Sequence, residues 1–347
     1  MAQVTLIPSG QDFTVESGET VLAAALRAGL NLPHSCKGGH CASCLARILS
    51  GEIAYGGERP AGITSEEAGA GLALLCQARA LTDLRVEARE VQPAPDVEVK
   101  SLPCRIERKE LLAPDVMAVF LRLPAVEELH YRAGQYLDVM LSQGRRRSFS
   151  IASAPADGRL LELHVRRAST TGFTAQLFDS LRDGALLRIE GPLGQFWLRG
   201  ESPRPALMVG GGTGYAPLRA MLRQLVATGD RRQVTLYWGA HDADGLYEHG
   251  WLRALERERP GFRYRPVLSD PQAPGAGLRS GLVHEAVLAD HPQLSGFDVY
   301  ASGPPAMIEA IRARAAAAGL PREQLFFDSF DYAPDTLAKL GTQGMRP

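Results

Sequence analysis

Four cysteines near the N-terminus constrain this chain more than any other feature. Cys36, Cys41 and Cys44 follow a Cys-x4-Cys-x2-Cys spacing, and Cys76 comes after 31 further residues. Thiolates are soft ligands that iron favours, and one tight loop can bring three of them around a cluster while a fourth arrives from elsewhere. This spacing is typical of a 2Fe–2S site, so the sequence predicts one with these four cysteines as metal ligands.

Residues beside the cysteines support that prediction. Gly38 and Gly39 allow the positive φ angles with which a backbone bends closely around sulfur, and Leu32 and Leu75 are predicted to give apolar cover. The alternatives are a structural zinc site or buried free cysteines, but zinc sites favour paired Cys-x2-Cys knuckles, and only one such pair occurs. Cys104 lies apart from the set, in a predicted strand, and is interpreted as a small core residue.

Charge and hydropathy exclude several classes of function. Lysine and arginine total 38 against 39 aspartate and glutamate residues, so no basic excess points to a nucleic-acid partner. The first residues do not form a basic and then apolar leader, and no apolar run approaches the roughly 20 residues that span a bilayer. We therefore expect a soluble, cytoplasmic protein without a membrane partner.

Three compositional blocks follow one another along the 347 residues. Residues 1–92 combine short β-like runs with one helical pattern and the cysteine loop, which predicts a small α+β domain. Residues 93–103 are rich in proline and are interpreted as a linker. Residues 104–200 show short runs separated by Gly, Pro or Asp, typical of an antiparallel β-barrel. Residues 201–347 alternate strand and helix, which predicts an α/β domain with a parallel, doubly wound sheet.

A motif on a predicted barrel strand suits a flavin nucleotide. Arg147 can pair with a pyrophosphate, Phe149 lies on the same strand face and can stack on the ring, and the Ser150 hydroxyl can hydrogen-bond its edge. A later helix start offers free N–H groups to the same diphosphate. An exposed basic edge strand is the alternative, because Arg145–Arg147 are consecutive. The candidate flavin-binding residues are Arg147, Ser148, Phe149, Ser150, His164, Val165, Arg166, Gly172, Phe173 and Thr174.

Two turns of the third block suit a dinucleotide. The glycines after the strand that ends near Val209 permit a tight turn and close approach to phosphate, and Pro217 fits the first turn of the helix that follows. A second turn begins at Ser302, at the end of a later strand, and ligands of open sheets bind at such carboxyl ends. The candidate residues are Gly211, Gly212, Thr213, Gly214, Pro217, Ser302, Gly303 and Pro304.

The segment after the second strand of this block bears on the choice between NADH and NADPH. A 2′-phosphate needs Arg, Lys or hydroxyl groups near that strand end, whereas a free 2′-hydroxyl is compatible with acidic groups. Here the chain has His241, Asp242 and Asp244. The sequence therefore predicts NADH, unless both aspartates face solvent in an ordinary loop.

With these motifs in place, the sequence resembles the ferredoxin–NADP reductase superfamily over nearly its whole length. The resemblance lies in the segments RRRSFSIAS, ELHVRR, GPLGQFWL, LYWGA, PVLSDP and FFDSF. It implies the subgroup with an N-terminal plant-type ferredoxin domain of β-grasp-like fold, followed by a FAD-binding barrel and a nicotinamide domain. It also implies FAD, a 2Fe–2S cluster and NADH as cofactors, catalytic positions for Ser150 and Ser302, and an aromatic Phe330 near the flavin.

The chain departs from that family pattern at three places. Phe149 stands where the family usually has tyrosine, so the hydrogen bond to the ribityl chain of the flavin is lost while stacking on its ring survives. Ser169–Thr171 replaces the Pro-x-Gly that precedes the flavin-binding helix, and Gly172 is displaced. Ser302 stands where a cysteine normally faces the nicotinamide, and its hydroxyl is smaller and harder than a thiol.

The combined cofactors predict an electron-transfer reductase. A nicotinamide gives up two electrons together as hydride, whereas the cluster accepts one at a time, so the predicted order is NADH, FAD, cluster and partner protein. The resemblance implies a Rieske, di-iron or haem oxygenase as partner, with a CDP-sugar dehydrase as the alternative. A redox sensor that binds flavin without turnover is a further alternative from another class.

Overall fold

The chain divides into two compact units, Met1–Val97 and Glu98–Pro347. The computed structural model describes residues 1–30, 32–34, 37–39, 42–60, 62–88, 97–200, 202–270 and 278–330. Within this part of the chain, no helix is long and apolar enough to cross a membrane.

The first unit is a mixed sheet with a helix packed against it. Its elements are β1 (Ala2–Ile7), β2 (Asp12–Val15), α1 (Val21–Arg27), β3 (Leu45–Ser50), β4 (Ile53–Tyr55), α2 (Ser65–Gly69), β5 (Leu72–Leu74), β6 (Ala78–Ala80) and β7 (Leu84–Glu87). The main sheet has the order β2-β1-β7-β3-β5, with β1 and β7 parallel and the other pairs antiparallel. Strands β4 and β6 form a separate ribbon. The predicted α+β domain is confirmed.

Helix α1 ties the sheet to the cysteine segment. The Thr20 side chain caps its N-terminus by accepting a hydrogen bond from the Ala23 amide, which satisfies one of the free N–H groups of the first turn. The Leu22 amide donates to the Leu75 carbonyl at 2.9 Å. Because Leu75 precedes Cys76, the capped helix fixes the position of the fourth predicted ligand.

The barrel occupies the first part of the second unit. Its elements are β8 (Lys100–Ala113), β9 (Val116–Arg122), β10 (Tyr136–Met140), β11 (Arg146–Ser150), β12 (Leu160–Arg166), α3 (Phe173–Asp179) and β13 (Leu186–Leu193). The strand order is β11-β10-β13-β8-β9-β12, and all pairs are antiparallel. The two edges meet at a bridge between Ile151 and Leu163, which closes the sheet. The predicted antiparallel barrel is confirmed.

A parallel sheet completes the second unit. Its elements are β14 (Ala206–Gly211), α4 (Tyr215–Ala227), β15 (Val234–Ala240), α5 (His249–Glu258), β16 (Phe262–Leu268), β17 (Arg279–Ser280), α6 (Val283–Asp290), β18 (Asp298–Gly303), α7 (Pro305–Ala317) and β19 (Leu325–Ser329). The order is β17-β16-β15-β14-β18-β19, and every pair is parallel. The order reverses beside β14, as the predicted doubly wound sheet requires.

Strand β8 differs from the sequence prediction, because it begins at Lys100, inside the segment interpreted as linker. Pro103 was expected to block regular structure. It is tolerated because residues 100–104 pair with β13 alone, while the pairing with β9 begins at Arg105. A proline that lacks an amide donor fits a strand with a neighbour on one side only.

Candidate cofactor sites

The cysteine loop of the first unit carries two ligands that the structure describes. Cys44 and Cys76 are both buried, and the Cys76 amide donates to Cys44 Sγ at 3.4 Å. Leu32 and Leu75 belong to the same buried core cluster. Cys36 and Cys41 lie outside the described residues. Buried thiolates that accept amide hydrogen bonds suit a negatively charged iron–sulfur cluster, so the described half of the site fits that group.

Cys104 lies elsewhere, in strand β8 of the barrel. Its side chain is buried, and burial raises the pKa of its thiol to about 12. A thiol that remains protonated is a poor metal ligand. The interpretation of Cys104 as a core residue agrees with this position.

Strand β11 presents the predicted flavin motif at the edge of the barrel. The Phe149 ring is half buried on the barrel core, with its centroid 6.0 Å from that of Phe173. Ser148 Oγ donates to Asp138 at 2.6 Å, so this hydroxyl is already engaged within the barrel. Arg147 Nη1 donates to the Arg146 carbonyl at 2.8 Å. Residues Arg146–Ser150 pair with β10 alone, because the bridge that closes the sheet lies just beyond them at Ile151. This one-sided pairing agrees with the alternative interpretation of the arginines, and it also leaves the strand open to a ligand.

The other predicted flavin-binding residues, from His164 to Thr174, lie in different surroundings. Val165 and Phe173 are buried in the barrel core, and Gly172 has a φ of +89° immediately before helix α3. Thr174 Oγ1 accepts a hydrogen bond from the Ala168 amide at 3.3 Å. The His164 side chain is fully buried against the parallel-sheet domain. Both ring nitrogens of His164 are therefore already engaged within the protein, by Tyr247 and Glu162.

Arg166 reaches from the barrel toward the glycine turn of the parallel-sheet domain. A Cβ atom added at Gly212, whose φ is +55°, would lie 3.3 Å from the Arg166 guanidinium. Asp115 Oδ2 lies 3.3 Å from Arg166 Nε. An arginine at this turn suits the pyrophosphate of a dinucleotide at least as well as that of the flavin.

The two turns of the parallel-sheet domain are packed against each other. Strands β14 and β18 run side by side with Gly210 opposite Ser302, and both turns leave from the carboxyl ends of these strands. A Cβ atom at Gly211 would lie 2.8 Å from Met307 Sδ, and one at Gly214 would collide with the Ser302 carbonyl. These glycines are therefore required for packing as well as for the approach of a phosphate.

Ser302, Ser150 and Asp328 converge where the barrel meets this sheet edge. Ser302 lies opposite Asp328 in the pairing of β18 with β19, and Ser150 Oγ donates to Asp328 Oδ2 at 3.4 Å. All three residues are buried. Ser302 Oγ has no hydrogen-bond partner among the described residues, which is unusual for a buried hydroxyl and marks a place where a ligand group fits. The Phe330 amide donates to the Gly303 carbonyl at 2.9 Å, which brings the predicted aromatic residue to the same edge.

Asp328 was missed by the sequence analysis. It follows the apolar residues Leu325–Phe327 in strand β19, and a lone carboxylate at the end of such a strand was the available signal. It went unused because β19 itself was not predicted.

A second group missed from the sequence lies buried between the barrel and the parallel-sheet domain. Arg219 Nη1 donates to Glu162 Oε2 at 2.8 Å and to the Ala152 carbonyl at 2.9 Å, while Arg219 Nε donates to Glu248 Oε1 at 2.9 Å. His164 Nε2 lies 3.0 Å from Glu162 Oε1 and Nδ1 lies 3.1 Å from the Tyr247 hydroxyl. Charges buried in this way are retained only when they are paired and hydrogen-bonded.

The pairing decides the charge states of this group. Burial alone would raise the pKa of Glu162, but its hydrogen bond with His164 and the charge of Arg219 outweigh burial and lower it. Burial would likewise lower the pKa of Arg219, but the carboxylates of Glu248 and Glu162 outweigh burial and raise it. Both ions of the Arg219–Glu162 pair are therefore charged near neutral pH.

The segment proposed to select the coenzyme follows strand β15. Asp242 Oδ1 accepts a hydrogen bond from the Gly245 amide at 3.0 Å, and His241, Asp242 and Asp244 are all exposed, as the alternative of an ordinary loop expects. Asp270, which follows β16, donates its amide to the His241 carbonyl at 3.0 Å. Asp270, which the sequence analysis missed, therefore lies near the segment that contains the predicted Asp242 and Asp244.

Three family models match the chain in succession. They are the 2Fe-2S iron-sulfur cluster binding domain over residues 4–81, the oxidoreductase FAD-binding domain over residues 103–197 and the oxidoreductase NAD-binding domain over residues 208–313. These matches confirm the predicted cluster, flavin and nicotinamide cofactors.

Similar proteins span almost the whole chain. CDP-6-deoxy-L-threo-D-glycero-4-hexulose-3-dehydrase reductase of Yersinia pestis is 37% identical over 330 residues, which cover 94% of this chain and 98% of that protein. Reductase component 1 of terephthalate 1,2-dioxygenase from a Comamonas species is 32% identical, with 96% and 98% covered. The crystal structure of an Amycolatopsis cytochrome P450 reductase is 34% identical with a TM-score of 0.72 and covers 95% of this chain and 99% of its own.

Proposed function

We propose that this chain, which belongs to the family of NAD-dependent reductases with joined 2Fe–2S, FAD-binding and NAD-binding domains, delivers electrons from NADH to a separate acceptor protein. When bound, FAD would supply a carrier that can accept a two-electron hydride and release single electrons, and the cluster would supply a one-electron acceptor. The residues of the chain bind and orient these groups.

The convergence of Ser150, Ser302 and Asp328 carries this proposal. Ser150 belongs to the barrel, whereas Ser302 and Asp328 belong to the parallel sheet, so a flavin and a nicotinamide held by their own domains would meet here. In our proposal Ser150 hydrogen-bonds the flavin edge, Asp328 orients the Ser150 hydroxyl, and Ser302 faces the nicotinamide. Phe330 covers the flavin from the adjacent strand end.

We assign the remaining roles to the other candidate residues. Arg147 and Phe149 hold the pyrophosphate and ring of FAD, together with Ser148 and the backbone of His164, Val165, Gly172, Phe173 and Thr174. Arg166 stands between the two nucleotides. The nicotinamide dinucleotide is bound by Gly211, Gly212, Thr213, Gly214, Pro217, Ser302, Gly303 and Pro304. Cys36, Cys41, Cys44 and Cys76 bind the cluster.

The acceptor is proposed to be a terminal oxygenase of Rieske, di-iron or haem type. The names of the dioxygenase and cytochrome P450 relatives support this class. A CDP-sugar dehydrase is the second candidate, because the hexulose-dehydrase reductase is similar over almost the whole chain.

Metal analysis and anaerobic reduction test the proposed function together. Purified protein should contain one FAD and about two irons with about two acid-labile sulfides per chain, as expected of a 2Fe–2S protein. NADH should bleach the flavin and then the cluster, and turnover of an artificial acceptor should persist. Zinc without sulfide would contradict the cluster, and a single round of reduction without turnover would favour the redox sensor.

A further inference from the structure

The buried group between the barrel and the parallel sheet is larger than an ion pair. We call it the interface cluster and define it as Glu162, His164, Tyr215, Arg219, Tyr247 and Glu248. Glu162 and His164 lie on barrel strand β12, and the other four residues lie in or beside helices α4 and α5. The side chain of His164 is fully buried, and those of Arg219, Glu162 and Glu248 are 9%, 11% and 17% exposed.

Glu248 links the two ends of this cluster. Arg219 Nε donates to both carboxylate oxygens at 2.9 Å, and one of these oxygens, Oε2, also accepts from the Tyr215 hydroxyl at 2.7 Å. Arg219 continues to Glu162 on the flavin-binding barrel. A carboxylate shared by a charged and a neutral donor holds both side chains in one geometry.

The interface cluster also contacts the glycine turn, through Trp238. The Tyr215 ring is stacked on Trp238 with a centroid distance of 4.0 Å, and the Tyr247 ring meets Trp238 edge-on at 5.0 Å. Trp238 Nε1 donates to the Gly212 carbonyl at 2.9 Å. A continuous set of contacts therefore runs from barrel strand β12 to the turn proposed to bind the dinucleotide.

We infer that Glu248 is a positioning residue that fixes the dinucleotide turn Gly212–Gly214 relative to the flavin-binding barrel. The inference rests on the proposed nicotinamide site at this turn. The Glu248 carboxylate holds Tyr215, which packs on Trp238, and Trp238 in turn hydrogen-bonds the turn. The same carboxylate also holds Arg219, which pairs with Glu162 on strand β12. Nucleotide affinity consequently depends on a side chain that does not itself line the turn.

Calorimetric titration of the oxidised holoprotein with NAD⁺ tests this inference without turnover. Glu248→Gln should raise the dissociation constant for NAD⁺ by about fivefold or more, the lower end of typical coupling between sites. KM for NADH should rise in parallel, while FAD and iron contents stay at wild-type values. Tyr215→Phe, which removes only the hydroxyl that donates to Glu248 and keeps the ring on Trp238, should raise the constant by about threefold and serves if Glu248→Gln does not fold.

Arg223→Gln provides the matched control. Arg223 lies on helix α4, as Arg219 does, and it pairs with Asp157 of the barrel at 2.8 Å. Unlike the Arg219 side chain, that of Arg223 is 36% exposed. This substitution should leave NAD⁺ affinity unchanged. A folded Glu248→Gln variant with wild-type NAD⁺ affinity, or in its absence a folded Tyr215→Phe variant with that affinity, would overturn the inference. A wild-type protein that binds no NAD⁺ would instead contradict the proposed function.

Discussion

Ser302 is a buried hydroxyl at the carboxyl end of strand β18, with no hydrogen-bond partner among the described residues. Leaving such a group unsatisfied is unfavourable, so it is usually retained for a ligand. The sequence pointed to Ser302 through the turn that it begins, and the structure adds its burial and its place opposite Asp328. Neither property can be obtained from the sequence alone, because both depend on strand β19.

Replacing Ser302 with alanine tests its role at the residue scale. Ser302→Ala should slow flavin reduction by NADH in stopped flow by about tenfold, equivalent to the loss of one hydrogen bond near 1.4 kcal/mol. Later electron transfer to the cluster should be unchanged. The control is Ser329→Ala, at the neighbouring buried position of strand β19, which should reduce at the wild-type rate. An unaltered rate in Ser302→Ala would mean that the turn is only structural.

At the scale of elements, strong periodicity was a reliable guide. The run Leu160–Arg166 is typical of a strand in its alternation of apolar and polar residues, and it forms β12. The run Phe262–Leu268 likewise indicates a strand, and it forms β16. Strands β4, β5 and β6 were missed because three residues are too few to show a period. The sequence pattern favours a helix from Leu246 onward, but helix α5 begins at His249, because Leu246 belongs to the turn that precedes it.

The glycine turn shows why part of the site could not be predicted. The pattern of glycines indicated a tight turn, but their packing against Met307 and the Ser302 carbonyl comes from strands distant in sequence. The interface cluster is another such case, since Glu162 and Glu248 are far apart along the chain and meet only through Arg219. Pairing of this kind depends on how barrel and sheet fit together.

Coenzyme choice is a property of the strand ends β15 and β16. Asp242, Asp244 and Asp270 follow these strand ends, near which the adenosine ribose of a dinucleotide lies in sheets of this kind, so we expect their charge to repel a 2′-phosphate. We expect NADH to be preferred over NADPH by about tenfold or more in kcat/KM, about 1.4 kcal/mol of discrimination. Steady-state assays with both coenzymes measure it.

An Asp270→Asn variant refines that prediction. The amide keeps the size of the side chain and removes one charge, so the preference for NADH should narrow while kcat with NADH stays the same. Equal efficiency of the wild type with both coenzymes would contradict the assignment. A wild-type preference that Asp270→Asn leaves unchanged would assign the discrimination to the β15 end alone.

At the scale of the whole molecule, the division near Val97 separates the cysteine loop from the flavin and nicotinamide domains. Each unit has its own buried core, and units of this kind generally fold independently. Loss of the cluster should therefore leave the second unit intact.

Replacing Cys44 tests that independence. Cys44→Ser should abolish the visible absorbance and acid-labile sulfide of the cluster, because a hydroxyl is a harder and poorer ligand for iron than a thiolate. FAD should remain bound at wild-type stoichiometry. Cys104→Ala is the matched control, since it removes a buried thiol from the barrel and should retain both cofactors. A Cys44→Ser protein with full sulfide content would remove this cysteine from the ligand set.

In the proposed function, electrons leave the flavin through the cluster. The most direct test compares the full chain with residues 98–347 in two NADH-driven assays, with ferricyanide and with cytochrome c as acceptors. Residues 98–347 should reduce ferricyanide at the rate of the full chain, because hydride transfer needs only the flavin and nicotinamide domains. Their rate with cytochrome c should fall by about tenfold or more, a barrier difference of about 1.4 kcal/mol. Equal cytochrome c rates with and without residues 1–97 would contradict the claim, because the electrons would then reach the acceptor without the cluster.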